Sequence, residues 1–308
     1  SLVFNNGRQR VTDGYAHGIY TQNDQGAKLF QDNIVFHQFA FGFHAYGESG
    51  SLRNMTFDGN VSFENGGGQP DFFIGGMTAA SNMTLTNNMT WHEEGGGSVW
   101  MGYDYCGCTS SGFTIKGNYF VGGSPVVRLQ HIGTLALSNN TIVGPGTTAG
   151  TYQETGSSSG FSLSGNAYYG NSSQREFQWS SGTYTFSGWK AATGFGSSAT
   201  YGGSKPSGTK VFVRKNKYER GRANVIIYNW ARLGSVSVDL SGVLQAGDHY
   251  EIRNVQDWFG TPVASGTYGG GSVAFPMTGV TSPTPKGGWV STPPVTGPDF
   301  NVFVVLKK

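Results

Sequence analysis

His44, Tyr46, Arg128 and His131 are residue types from which a β-elimination site can be assembled. Opening a uronic acid chain in that way needs a cation for the carboxylate, a base for the C5 proton and an acid for the leaving oxygen. Arg128 could supply the first, His44 or His131 the second, and Tyr46 or Tyr103 the third. Hydrolysis needs two carboxyl groups instead, about 5–5.5 Å apart for retention or about 6.5–9.5 Å apart for inversion. Asp71 and Asp104 are the pair on offer, with Glu154 a distant third. Tyr20, Gln22, Trp100, Tyr103, Gln130 and Glu154 are of types that hold sugars, rings packing on C–H faces while polar groups bond hydroxyls.

Residues so far apart must be gathered by the fold, and a repeat does this. Six segments echo one another: LFQDNIVF around Asn33, MTFDGNVSF around Asn60, MTLTNNMTW around Asn88, FTIKGNYFV around Asn118, LALSNNTIV around Asn140 and FSLSGNAYY around Asn166. Their spacings are 27, 28, 30, 22 and 26 residues, as in a solenoid whose units cannot bury their apolar faces alone. Each copy is a short alternating strand, a polar corner ending in Asn, and a second short strand. Three short strands per turn describe a parallel β-helix, with rungs about 4.8 Å apart and six rungs spanning roughly 24–29 Å. An Asn at the same corner of successive rungs can donate to one neighbour and accept from the next, and tolerates left-handed backbone. The six asparagines are therefore scaffold, and the sequons at Asn54 and Asn82 are by-products of repetition.

The strand ahead of each corner aligns as HGIYTQN, FGFHAYG, DFFIGG, SVWMGYD, PVVRLQH and GTYQET. Alternation then assigns faces. Ile19, Phe43, Val99, Met101, Val127 and Leu129 point inward; Tyr20, Gln22, His44, Tyr46, Trp100, Arg128 and Gln130 point outward. His131, Gln153 and Glu154 join this outward strip, with Asp71, Tyr103 and Asp104 at its edges. His17 and His37 read as structural histidines, and His92-Glu93-Glu94 as a solvated loop without the second His of a zinc motif.

Composition agrees with an all-β chain. It has 50 glycines in 308 residues, with 12% charged and 14% aromatic, where average Gly content is about 7%. A net charge of +2 gives no support for a nucleic-acid partner. No stretch approaches the roughly 20 apolar residues of a membrane span. No cofactor is indicated, and no calcium motif is present for a Ca²⁺ site of Asp and backbone oxygens. A bridge between Cys106 and Cys108 would be strained, so the pair is expected to be two small residues in a tight corner. Low charge, few cysteines and abundant Asn, Ser, Thr and Gly fit a secreted bacterial protein, with Ser1 a processed, engineered or truncated start.

The clear repeats run over 15–170, and 171–207 reads as irregular last turns, completing a β-helix over 1–207. From 208 to 308 the texture changes to alternating strands separated by turns, as in KVFVRKNKYERGRANVIIYNW and FNVFVVLKK. This predicts a small C-terminal β-sandwich-like domain, placed where it could cover an open solenoid end.

The HGIYTQN strand and the recurring DGN, KGN and SGN corners resemble the right-handed parallel β-helix proteins of the pectate-lyase-like superfamily. The tail resembles the β-sandwich appended to bacterial carbohydrate-active enzymes. The resemblance covers roughly residues 15–170 and implies the fold; no complete catalytic signature is present, so it carries over no catalytic set. The expectation is a secreted polysaccharide-active enzyme, a lyase in preference to a glycoside hydrolase. A non-catalytic glycan-binding or adhesive module is the first alternative. The second is a structural solenoid assembling end to end, since an uncovered end exposes unpaired strand edges.

Overall fold

The structure is a computed structural model that describes residues 1–7, 15–66, 68–93, 96–155, 159–285 and 292–308; Glu94 of the His92 run lies outside the described residues. The chain divides into Ser1–Pro206 and Ser207–Lys308.

The first unit is a parallel β-solenoid of about six turns. One of its three sheets contains Ile19–Thr21, Phe43–Gly47, Phe72–Gly76, Val99–Asp104, Val127–Gln130, Tyr152–Thr155 and Phe177–Trp179, each pairing in parallel with the next. The strands that lead into the Asn corners, from Lys28–Gln31 to Gly160–Ser164, form the second, and the strands that follow the corners form the third. Inward side chains of equivalent rungs stack directly. The rings of Phe43 and Phe72 stack 4.7 Å apart and nearly parallel, and those of Phe36 and Phe63 stack 4.9 Å apart.

The asparagines form a continuous ladder. Nδ2 of Asn33, Asn60, Asn88, Asn118 and Asn140 donates to Oδ1 of the next asparagine at 2.8–3.0 Å. The backbone N–H of each donates to that same oxygen at 2.8–3.0 Å, the shortest at Asn88. From Asn60 onward, Nδ2 also donates back to a carbonyl, such as Phe57 for Asn88 and Leu85 for Asn118. The left-handed backbone sits one residue earlier than expected, at Asp32, Gly59, Asn87, Gly117, Asn139 and Gly165. The turn and the ladder are thus shared between two adjacent positions: one residue bends the chain, and the next is free to bond along the column.

Residues 171–207 contribute a hairpin, Phe177–Trp179 with Gly182–Tyr184, and a helix, Phe186–Thr193. Thr185 caps the helix by accepting from Gly188 N–H, and Gly194 ends it in the left-handed region. The helix buries Trp189 in the core of the column among Tyr152, Tyr168 and Phe177, with ring centroids 5.0–5.8 Å away.

The second unit is antiparallel. Five strands run in the order Lys210–Lys215, Ala223–Tyr228, Phe300–Lys307, His249–Asn254 and Ala264–Thr267, beside a two-stranded sheet of Ser235–Asp239 and Ser272–Pro276. The two sheets share one core, in which Val225, Ile227 and Phe303 meet Val236, Val238 and Phe275. No described helix is long and apolar enough to cross a membrane.

Candidate functional site

Register places Tyr20 beside His44, His44 beside Phe73, Phe73 beside Trp100, Trp100 beside Arg128, and Arg128 beside Gln153. One outward column therefore carries five of the ten residues expected on the strip: Tyr20, His44, Trp100, Arg128 and Gln153. Phe73 belongs to it as well, although its segment DFFIGG is apolar on both faces and gives no alternation to read.

A second outward column lies one step along the strands, through Tyr46, Gly75 and Tyr103. Strict alternation from Trp100 would turn Tyr103 inward. The strand instead bulges between Met101 and Tyr103, where Gly102 takes a left-handed φ of +75°. This one extra residue re-aims Tyr103. Gly75, opposite, has no Cβ to meet the Tyr103 backbone, and the Tyr46 and Tyr103 rings come within 6.4 Å.

Together these residues wall an open groove of about 510 Å³, lined by Tyr15, His17, Tyr20, Phe41, His44, Tyr46, Glu48, Phe73 and Tyr103. At its centre, Nδ1 of His44 lies 2.9 Å from Nδ1 of His17. A bond between two like nitrogens requires that one carry the proton and the other accept it. Burial, and then the neighbouring His17, hold the His44 imidazole down to about 3, and burial lowers His17. Both rings are therefore uncharged at neutral pH. The His44 ring is buried against Phe41 at a centroid distance of 4.1 Å, and its Nε2 has no hydrogen-bond partner; His17 is half-buried at the groove wall. The histidine placed to meet a ligand is thus His17, which had been read as structural. Alternation could not find it, because its strand begins only at Ile19.

Tyr20 and Gln22 tie the first rung to the second. The Tyr20 hydroxyl and Gln22 Nε2 both donate to the Tyr46 carbonyl, at 3.3 and 2.9 Å. Burial, reinforced by Tyr103, raises the Tyr46 hydroxyl above its ordinary value, so it stays protonated.

Further along, the Arg128 guanidinium lies 4.4 Å over the Trp100 ring, and Arg128 Nε donates to Gln153 at 3.1 Å. Trp100 Nε1 donates to Gln130 at 3.2 Å. This makes a preformed platform, but one removed from the histidines. His44 and Arg128 are three register steps apart, or about 14 Å at the usual strand spacing.

Four expectations are corrected. Glu154 is in register with Leu129, an inward residue, so it faces the core, 1% exposed and with both oxygens unpartnered. Burial raises its carboxyl to about 7. The outward residue of that rung is Gln153. Asp71 is not at the edge of the strip but fully buried behind it, accepting from Asn65 at 2.6 Å and Ser62 at 3.2 Å, with His92 Nδ1 3.9 Å away. Burial holds its carboxyl well above the usual range. His92 is likewise buried rather than in a solvated loop.

The fourth correction concerns the cysteines. Cys106 and Cys108 are disulfide-bonded, and a Cα–Cα distance of 5.2 Å is within ordinary bridge geometry. The intervening Gly107, in the left-handed region at φ +67°, lets the chain double back. Asp104 accepts from Cys108 N–H at 2.9 Å and pairs with His131 Nδ1 at 2.8 Å. His131 and Asp104 therefore engage each other, and neither lines the groove. Among the described residues, the one cluster of three metal-ligating side chains is Asp104, Cys106 and Cys108, and its sulfurs are already bonded to one another.

Comparison with protein-family models, with curated proteins and with solved structures gives no match.

Proposed function

We propose that the outward strip binds an extended polysaccharide and that the groove cleaves it by β-elimination. The observation that carries this reading is the uncharged His17–His44 pair in a groove that it shares with Tyr103 and the protonated Tyr46. In this reading His17 accepts the C5 proton at Nε2 while its Nδ1–H donates to His44, which fixes the tautomer. Tyr46 or Tyr103 protonates the leaving oxygen. Trp100 and Arg128 hold a sugar further along the chain, too far away to neutralise the carboxylate at the reacting centre. Hydrolysis is less well supported: Glu48 is the one carboxylate in the groove lining, Asp71 is buried, and Asp104 is engaged by His131. Membership of the right-handed pectate-lyase-like proteins and an extracellular bacterial setting belong to the same proposal, and the Cys106–Cys108 bridge fits an oxidising compartment.

One observation favours a non-catalytic glycan-binding module instead. The cation of the strip, Arg128, is three rungs from His44 and one more from the base, His17, whereas elimination needs charge neutralised on the same sugar. Incubation with polygalacturonate, alginate and neutral glycans separates the readings. Elimination creates a double bond conjugated to a carboxylate, followed by ultraviolet absorbance, and His17→Ala should slow it by about 100-fold or more. New reducing ends without that absorbance would mean hydrolysis. Retention of a polymer on the immobilised chain without any turnover would mean binding alone.

A further inference from the structure

The modest net charge conceals a division. The second unit, Ser207–Lys308, holds eleven of the chain's 20 Lys and Arg but six of its 18 acidic residues. Six of those basic residues fall between Lys210 and Arg222, where the one acid is Glu219. They belong to the hairpin that joins Lys210–Lys215 to Ala223–Tyr228, antiparallel neighbours in the larger sheet.

The tip of this hairpin is built rather than loose. Asn216 Oδ1 accepts from the N–H groups of Tyr218 and Glu219 at 2.9 and 2.8 Å, and Asn216 N–H donates to the Arg222 carbonyl at 2.8 Å. The result is a concavity of about 350 Å³ whose lining includes Lys215, Lys217, Tyr218, Arg220, Arg222 and Gly242. Gly242 leaves room for the Lys215 ammonium, which would stand 3.1 Å from a Cβ at that position. Arg222 pairs with Glu219 at 2.9 Å. Among the described residues neither Lys215 nor Lys217 enters an ion pair. Tyr218 is 88% exposed at the rim, with the Lys217 ammonium 5.6 Å from its ring centre.

We infer that this hairpin is a second ligand site, which binds the anionic substituent of an acidic polysaccharide. Four cations and a single acid, Glu219, line this small hollow, a balance that attracts a compact anion, and Arg and Lys bond carboxylate or sulfate oxygens strongly. The open face of Tyr218 suits the C–H face of the sugar carrying that anion. A nucleic acid is a poorer fit. It needs cations tracking several phosphates along a groove and rings for successive bases, whereas here one ring and one hollow sit at a hairpin tip. The site does not depend on the reading of the groove, since every residue in it belongs to the second unit.

The test uses the full chain and four immobilised probes: polygalacturonate for carboxylate, heparin for sulfate, dextran as neutral sugar, and oligo-dT. The expected result is saturable binding to polygalacturonate or heparin, whichever anion is preferred, weakened by added salt, with dextran not retained. Lys215→Ala/Lys217→Ala/Arg220→Ala should weaken it by about tenfold or more, and Tyr218→Ala should weaken it at unchanged melting temperature. Because these side chains are at an exposed tip, the single charge reversal Lys217→Glu gives a second, fold-neutral test with the same expected direction. Salt-sensitive binding that remains in Trp100→Ala, a strip variant, and is lost when the triple substitution is added to it would separate the site from the strip. Equal affinity in the triple variant, failure to bind either acidic polymer, or tighter binding of oligo-dT through the same residues would overturn the inference.

Discussion

Nδ1 of His17 and Nδ1 of His44 are 2.9 Å apart, so two imidazoles from successive rungs share one proton. The arrangement depends on both rings being neutral. Burial first, and then His17, keep His44 from titrating until about 3.

Acid should therefore destabilise the chain through His44. The unfolded chain accepts a proton on this ring near pH 6.5, whereas the folded chain refuses it until about 3, so stability is complete above 6.5 and is lost as pH falls through that window. His92, held down to about 4 by burial, adds to the same trend. Urea unfolding of His44→Asn at pH 7.5 and 4.5 should show an acid loss smaller than that of the parent by roughly 1–3 kcal/mol. An identical loss would mean that His44 is not the group responsible.

Glu154 predicts the opposite slope. Its carboxyl is raised to about 7 in the folded chain against an ordinary 4.5, so the folded state holds a proton that the unfolded state has released. Stability then declines as pH rises from 4.5 towards 7. Glu154→Gln should stabilise the chain by roughly 1–3 kcal/mol at pH 8 and have little effect at pH 4. Thermal melts at the two pH values check this, and a gain of equal size at both would contradict it.

In the ladder, cost should depend on position. Asn118→Ala strips a buried rung of donors to Asn140 and Leu85 and of the acceptor for Asn88, at roughly 2–4 kcal/mol. Asn33 is less buried and has no counterpart of the Asn118–Leu85 bond in the structure described. Asn33→Ala should therefore lower the denaturation midpoint distinctly less than Asn118→Ala.

Much of this was legible in the chain. Asparagine spacing gave the solenoid, and period-two alternation gave the shared face of Tyr20, His44, Trp100 and Arg128. What escaped were departures from regularity. Gly102 is one of 50 glycines, and nothing in its neighbours marks it as the extra residue of a bulge. His17 precedes its strand, where alternation has no authority. Gln153 and Glu154 are adjacent, and only the pairing of Leu129 with Glu154 decides which faces out. The cysteine bridge escapes a reading of the sequence because its strain is relieved by a backbone conformation, the left-handed turn at Gly107, that residue spacing does not reveal.

Trp100 gives a test of the strip that does not depend on chemistry. Its ring supports Arg128 at 4.4 Å and meets Phe73 at 5.3 Å. Trp100→Ala should weaken polysaccharide binding by about tenfold, from the lost sugar platform and cation–π contact together. Isothermal titration against the bound polymer measures this, and unchanged affinity would place the binding face elsewhere.

Deleting Gly102 should leave Met101 and Tyr103 as consecutive residues of a regular strand, so that Tyr103, then two places after Trp100, still faces out opposite Gly75. The Gly102→Ala variant keeps the count but forces a side chain into φ +75° and against the Gln130 carbonyl, a strain of about 1–3 kcal/mol. The deletion is therefore expected to keep both the fold and groove binding, read by circular dichroism and ligand titration, whereas Gly102→Ala loses stability; loss of binding in the deletion would show that the bulge itself shapes the groove.

That bulge also bears on how such a face can change over time. The rung that contains Gly102 absorbs one extra residue, yet Val99, Trp100 and Met101 still pair in step with Val127, Arg128 and Leu129 of the next rung. An insertion in a globular core disturbs every neighbour; here it is confined to one storey of the column. A solenoid of this kind can acquire, reposition or discard a single reactive side chain by a one-residue edit, leaving the rest of its surface to continue its existing work.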